Sequence, residues 1–137
     1  MKRKVILASH GGLAPGLLDT AQMILGRIEY DTEVYSLQPG HHPDEFAIQL
    51  RAEIEKEPDV EHVILCDLLG ASVFSALYPL TAYQNVRLFT GMNLNMLLSI
   101  CVDCPDPLDE EAVKKVKDSS CAGIQLAKIV ESEQEDF

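Results

Sequence analysis

A histidine and an aspartate in this chain are of the types that could act together in nucleophilic chemistry. His10 stands within the segment Ser9 to Gly12 (Ser-His-Gly-Gly), and Asp67 opens the segment Asp67 to Ser72 (Asp-Leu-Leu-Gly-Ala-Ser). A carboxylate that accepts one imidazole N–H fixes the tautomer of the ring, and the lone pair of the other ring nitrogen is then free to attack. The pair therefore suggests a histidine that can itself accept a phosphoryl group.

The residues beside this pair could hold the anion that such chemistry requires. Gly11 and Gly70 allow the backbone to approach a ligand closely. A helix that begins around Ala71 and Ser72 would direct unpaired N–H groups at a phosphoryl group. Taken singly, a histidine or an aspartate at the end of a strand more often has a structural role, as a hydrogen-bonding residue or a helix cap. The hypothesis depends on their lying together.

The apolar pattern along the chain predicts an α/β fold that would bring the pair together. Short apolar runs predict four strands, at Lys4–Ser9, Thr32–Leu37, His62–Asp67 and Val86–Thr90. Helical periodicity or helix-start residues predict helices at 14–28, from Pro43 to Pro58, from Gly70 to Pro79, at 93–100 and from Asp106 to Gly123. Alternating strands and helices predict an open parallel sheet with helices on both faces.

The expected strand order is 2-1-3-4, with strands 1 and 3 adjacent. Their helices then lie on opposite faces of the sheet, and the gap between them is the switch point at which ligands bind in such sheets. His10 and Asp67 would meet at this point.

The C-terminal part of the chain consists of an apolar segment and an acidic one. Residues 124–130 fit either a last strand or more helix, and we favour a strand. Residues 131–137 contain four acidic residues and are interpreted as an acidic tail. The predicted organisation is a single domain over 1–130 followed by this tail.

Composition limits the partners of the chain. Its 137 residues carry 22 Asp and Glu against 11 Lys and Arg, a net charge of −11, which argues against binding nucleic acid or an anionic membrane surface. The apolar runs are too short for a membrane-spanning helix, and Val5–Ala8 is too short for the core of a signal peptide. We expect a cytoplasmic protein unless a partner recruits it elsewhere, for example transporter components at the inner face of the membrane.

The cysteines, and the histidines other than His10, suggest no second catalytic or metal site. Cys101 and Cys104 form a Cys-x-x-Cys pair that could be redox-active or half of a zinc site, but no further ligand pair follows. We interpret them chiefly as reduced thiols near a helix end. His62 is interpreted as structural, and the His41-His42 pair as surface residues. No metal and no cofactor is expected.

Three segments of the sequence, taken together, resemble one protein family. Ser9 to Ala14 (Ser-His-Gly-Gly-Leu-Ala) and the helix after it resemble the start of the mannose-family enzyme IIA domains of the phosphoenolpyruvate-dependent sugar phosphotransferase system. Asp67 to Ser72 is similar to the family's Asp-x-x-Gly-Gly-Ser segment. Gly91 to Leu97 is similar to its Gly-x-Asn-x-Pro-Met-Leu segment. The segments follow the family's order and spacing, and the resemblance covers about residues 4–130.

The resemblance implies a flavodoxin-like sheet with an antiparallel fifth edge strand exchanged between the subunits of a homodimer, which residues 124–130 would supply. It implies that His10 is phosphorylated at Nε2 by phospho-HPr and passes the phosphoryl group to a sugar-specific IIB protein, with the membrane IIC and IID components as indirect partners. Asp67 would bond the other ring nitrogen. Ser72 would help to hold the phosphoryl oxygens, and from their positions in the loops we expect Gly11, Gly70 and Ala71 to complete the phosphoryl-binding site.

The sequence departs from the family pattern at several loop positions. Ala71 replaces the second glycine, Val73 a proline, Ser75 an asparagine and Asn95 a later proline, while Ser9 keeps the hydroxyl of the usual threonine. None of these changes removes a group needed for catalysis, although the loop around Ser72 can differ in shape.

We expect partners to dock on an apolar patch formed by Leu13, Leu68, Leu69 and Met92. The alternative is ordinary packing under the loops, which is at least as good an interpretation for Leu13. One alternative is the phosphotransfer subunit of dihydroxyacetone kinase, which usually lacks the Gly-Gly after its histidine. The other is a non-catalytic flavodoxin-like regulatory module in which the His10–Asp67 pair senses an anion.

Overall fold

The computed structural model describes residues 2–130, and the predicted acidic tail at 131–137 lies outside them. The strands are β1 (Lys2–His10), β2 (Asp31–Leu37), β3 (Val60–Cys66) and β4 (Val86–Phe89). The α-helices are α1 (Leu13–Leu25), α2 (Asp44–Lys56), α3 (Ser72–Leu77), α4 (Leu94–Val102) and α5 (Glu110–Ala122). Helix α3 ends at Leu77, just before Pro79, as predicted, and a 3₁₀ helix at Tyr78–Ala82 follows it.

The four strands are all parallel and lie in the order β2-β1-β3-β4, which confirms the predicted order. Residues 5–8 of β1 and 63–66 of β3 are completely buried, because both faces of these central strands are covered by helices. The register places Ala8 beside Cys66 and His10 beside Leu37. The carboxyl ends of β1 and β3 therefore meet at one edge of the sheet.

Each face of the sheet has its own apolar core. On one face, Val5, Leu7, Val63 and Leu65 pack with residues of α1, α4 and α5, including Ala21, Leu97 and Val116. On the other face, Ile6, Ala8 and Ile64 pack with residues of α2 and α3, including Leu50, Ile54 and Leu77. Helices thus cover both faces, in the predicted doubly wound arrangement.

The last helix begins later than predicted. Asp109, not Asp106, is the N-cap of α5, and its carboxylate accepts the N–H of Ala112 at 2.7 Å. Asp106 instead lies 3.1 Å from the Arg3 guanidinium. This long-range ion pair holds Asp106 away from the helix start. The end of α5 is as predicted, with Gly123 as its C-cap.

The strand predicted at 124–130 is wrong for the single chain. These residues continue beyond α5 without regular secondary structure, and they pair with none of the four strands. Ile124 is 76% exposed and Leu126 is 99% exposed. A strand exists only where a neighbouring strand takes up its main-chain hydrogen bonds, and this segment does not lie against an edge of its own sheet.

A buried ion pair lies at the amino ends of the parallel strands. His10 and Asp67 lie at the opposite end of the sheet, after the carboxyl ends of β1 and β3. Arg3 Nε lies 2.8 Å from Glu61 Oε1, and both side chains are almost fully buried. The guanidinium also donates to the carbonyls of Ile100 and Cys104, each at 3.2 Å. The second oxygen of Glu61 accepts the N–H of Leu108 at 2.7 Å. The pair therefore fastens the connection between α4 and α5 to the central strands.

His62 on β3 is a buried histidine that should make stability depend on pH. It is completely inaccessible, its Nδ1 lies 3.1 Å from the Val60 carbonyl, and its Nε2 has no partner among the described residues. Burial lowers the pKa of His62 more than the bond to Val60 raises it. The folded protein therefore keeps this ring neutral at pH values where the unfolded chain binds a proton.

We expect the free energy of unfolding to fall as the pH drops below about 6.5, the pKa of an unperturbed histidine. Because the unfolded state then binds one more proton than the folded state, the loss from this residue approaches about 1.4 kcal/mol per pH unit. Urea unfolding between pH 5 and 8 measures this dependence. The variant His62→Leu should flatten it, whereas His41→Gln, at an exposed histidine, should not. An equal slope in wild type and His62→Leu would contradict the prediction.

Candidate active site

The ends of β1 and β3 bring His10 and Asp67 into direct contact. His10 Nδ1 lies 2.8 Å from Asp67 Oδ2, and the same oxygen accepts the main-chain N–H of His10 at 2.8 Å. The other carboxylate oxygen accepts the N–H of Leu68, also at 2.8 Å. Three hydrogen bonds thus fix the carboxylate, and Asp67 holds the imidazole through Nδ1.

These hydrogen bonds favour the ionised form of Asp67. Burial alone would raise the pKa of Asp67, but the hydrogen bonds from the His10 main chain and ring and from Leu68 outweigh it and lower the pKa. An ionised Asp67 requires that Nδ1 of His10 carry a proton and donate it to the carboxylate. The lone pair of the ring then resides on Nε2, and the side chain of His10 is 48% exposed. A reactant can therefore reach this nitrogen.

Ser72 stands on the other side of the imidazole. Its Oγ lies 3.3 Å from His10 Nε2, so its hydroxyl can donate to the ring lone pair. Ser72 is the first residue of α3, and Ala71 before it has extended backbone as the N-cap. The first N–H groups of a helix have no partner within the helix. Ser72 and Val73 are thus the first residues of α3, and their N–H groups have no partner among the described residues. The sequence had marked Val73 only as a departure from the family pattern.

Two of the residues expected to hold a phosphoryl group have their N–H groups occupied. The N–H of Gly11 donates to the carbonyl of Leu37 at 2.9 Å, and the N–H of Ala71 donates to the carbonyl of Leu68 at 3.2 Å. Both residues therefore shape their loops, and their N–H groups do not point to a ligand. Gly11 has φ +54° and Gly70 has φ +85°, a backbone conformation that favours glycine.

The expected docking patch is smaller than the sequence suggested. Leu13, Leu68 and Leu69 are 49%, 64% and 68% exposed. Leu13 is the first residue of α1, and Leu68 and Leu69 lie in the loop after β3, next to Asp67. Met92 is only 7% exposed and belongs to the core that the sheet shares with α1, α4 and α5. Its N–H donates to the Cys66 carbonyl at 3.0 Å, so the main chain that carries Met92 is tied to the end of β3. Met92 is therefore not a surface residue, contrary to the expectation.

The loop after β4 also supports the site. The N–H of Gly91 donates to the main-chain carbonyl of Asp67 at 3.0 Å. The side chain of Asn93 accepts the N–H of Met96 at 2.9 Å as the N-cap of α4, and it donates to the carbonyl of Ser120 at 3.0 Å. The third recognisable sequence segment thus links the Asp67 loop to the start of α4 and the end of α5.

The cysteines do not belong to this site. All four are free. Burial raises the pKa of Cys101 to about 11 and also raises that of Cys104, and the opposing effect of Arg3 is smaller in both cases. These two thiols stay protonated at neutral pH, a state in which they are poor nucleophiles. Within residues 2–130, no three His, Cys, Asp or Glu side chains are grouped so that they could hold a metal ion, and no helix there is long and apolar enough to cross a membrane.

Comparison with known proteins places this arrangement in a family. Residues 4–117 match the family described as PTS system fructose IIA component, where PTS denotes the phosphotransferase system. The chain belongs to this family. The sorbose-specific EIIA component of Klebsiella pneumoniae is 29% identical over 96 residues, which are 69% of this chain and 70% of that protein.

Solved structures of IIA proteins share the fold. A phosphotransferase system component EIIA from Streptococcus agalactiae matches with a TM-score of 0.78 and 26% identity, over 90% of this chain and 96% of that one. A mannose/sorbose specific IIA subunit from Enterococcus faecalis matches with a TM-score of 0.74 and 27% identity, over 95% and 100%. The chain is thus a mannose-family enzyme IIA domain with the flavodoxin-like fold, and membership of this family makes it a phosphotransfer component of a sugar phosphotransferase system.

Proposed function

We propose that Nε2 of His10 accepts a phosphoryl group from phospho-HPr and passes it to a sugar-specific IIB protein for carbohydrate uptake. The observation that carries this proposal is the 2.8 Å contact between His10 Nδ1 and Asp67, which leaves Nε2 as the exposed nucleophile. Membership of the IIA family supports the same assignment. The carrier acts in the cytoplasm and meets the membrane IIC and IID components only through IIB.

In the accepting step, the Nε2 lone pair of His10 attacks the phosphorus of the donor phosphohistidine. A new N–P bond forms while the donor N–P bond breaks, and the electron pair of the broken bond returns to the donor imidazole. The proton on Nδ1 stays in its hydrogen bond to Asp67. Transfer to IIB repeats the exchange with His10 as the donor, so that no metal, cofactor or water takes part.

Positioning provides most of the catalysis in this scheme, because phosphoryl transfer between two imidazoles needs little acid–base chemistry. Once Nε2 is phosphorylated, the hydroxyl of Ser72 can turn from the ring to a phosphoryl oxygen. The N–H groups of Ser72 and Val73 at the start of α3 have no partner within residues 2–130 and favour an anion. Gly11, Gly70 and Ala71 contribute through the shape of their loops.

The docking surface that we propose for HPr and IIB consists of Leu13, Leu68 and Leu69. These side chains are exposed beside His10, and apolar contact next to the reacting histidine would hold a partner in place. The net charge of −11 favours partners with a basic or apolar contact face, because complementary charge speeds encounters and excludes wrong partners.

We also propose that the protein is a homodimer in which residues 124–130 pair with a second copy. Ile124, Leu126 and Val130 all fall on even positions, with Lys128 at the even position between the last two; the three apolar side chains are exposed, and the segment pairs with none of the four described strands. Period-2 apolar spacing is typical of a strand. The molar mass in solution, measured by light scattering, should then be twice the 15.1 kDa of one chain; a monomer would contradict this.

The carrier function is tested by reconstituting the chain of transfers. The wild-type protein is incubated with phosphoenolpyruvate, enzyme I and HPr, and it should gain one phosphoryl group per chain that is labile in acid and stable in base. Subsequent addition of a cognate IIB protein should remove the label. A wild-type protein that stays unlabelled would contradict the proposal and would favour the regulatory module.

Replacing Asp67 by alanine should slow phosphoryl transfer while the fold remains. The variant loses the acceptor that orients His10, and an error of about 1 Å in the placement of a reacting group can slow a reaction roughly 100-fold. Rapid-quench measurement of label uptake from phospho-HPr gives the rate. Asp44→Ala is the matched control, because Asp44 lies 3.2 Å from His42 in an exposed His–Asp pair. A rate equal to wild type, or an unfolded variant, would contradict the orienting role.

A further inference from the structure

Ser9, the residue before His10, has a completely buried side chain that takes part in two hydrogen bonds. Its Oγ accepts the N–H of Ala14 at 2.8 Å and donates to the carbonyl of Gly11 at 3.4 Å. Ser9 is 0% exposed, so it can touch neither a protein partner nor a phosphoryl group that arrives from solvent. Any effect it has on transfer must therefore act through its neighbours.

The Ser9 hydroxyl takes the place of a side-chain N-cap for α1. Gly12 is the N-cap residue of this helix, and it has no side chain to accept a first-turn N–H. Ser9 reaches across the turn from three residues earlier and accepts the N–H of Ala14 instead. The end of β1 and the start of α1 are thus joined through one side chain.

The same contacts fix the backbone on which His10 stands. The N–H of His10 is held by Asp67, and the N–H of Gly11 by the Leu37 carbonyl, at 2.8 and 2.9 Å. The carbonyl of Gly11 is held by Ser9. The turn after His10 is therefore bonded to β2, to the loop after β3 and to α1, and the Ser9 hydroxyl makes the last of these connections.

We infer that Ser9 is a positioning residue for phosphoryl transfer. Its hydroxyl holds the turn at 10–14, and this turn keeps the His10 ring against Asp67 with Nε2 directed outward. The inference rests on the proposed carrier function. It predicts that loss of the hydroxyl lowers the rate of transfer within the complex with phospho-HPr and leaves the apparent affinity unchanged, since the buried residue takes no part in docking.

The test compares Ser9→Ala with Ser9→Thr and with Ser99→Ala, which removes the hydroxyl of another buried serine, in α4, that is 4% exposed. All are titrated with phospho-HPr in single-turnover experiments, below the melting temperature of each variant. We expect Ser9→Ala to reach one phosphoryl group per chain with an unchanged KM and a maximal rate lower by roughly 10- to 100-fold. Ser9→Thr should restore most of the rate, and Ser99→Ala should match wild type.

The possible failures are distinguishable. An unlabelled wild type contradicts the carrier function and this inference with it. A labelled wild type with an unchanged rate for Ser9→Ala contradicts the inference alone. A lower final stoichiometry at an unchanged rate would mean that the hydroxyl only keeps the chain folded, and folded Ser9→Thr as slow as Ser9→Ala would mean that the hydroxyl is not the determinant.

Discussion

Replacing His10 by alanine should abolish phosphoryl uptake while the fold is retained. The side chain supplies the only nucleophile in the proposed transfer, and the loss of a nucleophile commonly costs more than about 10⁴-fold in rate. The His10 side chain is 48% exposed, so its removal leaves no cavity in the core. Intact-mass spectrometry after incubation with phosphoenolpyruvate, enzyme I and HPr should show a gain of about 80 Da for wild type and none for the variant.

The matched control for this experiment is His42→Ala. His42 is also exposed and also contacts a carboxylate, with its Nδ1 3.2 Å from Asp44, but it lies in the loop before α2. The variant His42→Ala should therefore be phosphorylated like the wild-type protein. A phosphoryl group on His10→Ala, or its loss in His42→Ala, would show that another histidine carries the group and would contradict the assignment of His10.

Much of the fold could be predicted because its determinants are local. The apolar runs of the central strands are continuous, and helical periodicity separates them, so that the order of elements and the parallel sheet follow from general rules. The start of α5 could not be predicted in the same way. Asp106 and Asp109 are both suitable N-caps, and the choice depends on Arg3, about a hundred positions earlier, which takes Asp106 as a partner.

The central pair of the candidate site was predictable for a geometric reason. Strands 1 and 3 of a doubly wound sheet are neighbours, so residues that follow them meet, and His10 and Asp67 do so at 2.8 Å. The loops were less predictable. That the N–H of Gly11 bonds to Leu37, and that Met92 turns into the core, depends on the exact path of several loops, for which residue types carry little information.

Replacing Arg3 by methionine should destabilise the fold more than any other substitution considered for this protein. Its guanidinium lies 2.8 Å from Glu61 and donates to the carbonyls of Ile100 and Cys104. The guanidinium carbon also lies over the aromatic ring of Tyr30, 5.1 Å from the ring centroid. Methionine would leave the Glu61 carboxylate buried without its cation. Breaking a buried pair in this way costs about 3–5 kcal/mol, which equilibrium unfolding in urea would measure. Arg27→Met, at an exposed arginine, should change stability little.

A double variant separates the buried charge from the lost packing. If the cost comes mainly from an uncompensated Glu61, then Arg3→Met combined with Glu61→Gln should be more stable than Arg3→Met alone, because the glutamine is neutral and its amide can still accept the N–H of Leu108. A double variant as unstable as the sum of the single variants would contradict this explanation. Both Arg3 and Glu61 lie near the amino ends of their strands, and His10 lies at the opposite end of the sheet. The folded fraction of each variant should therefore still accept a phosphoryl group at the wild-type rate. A slower rate in fully folded protein would instead show that the two ends of the sheet are coupled.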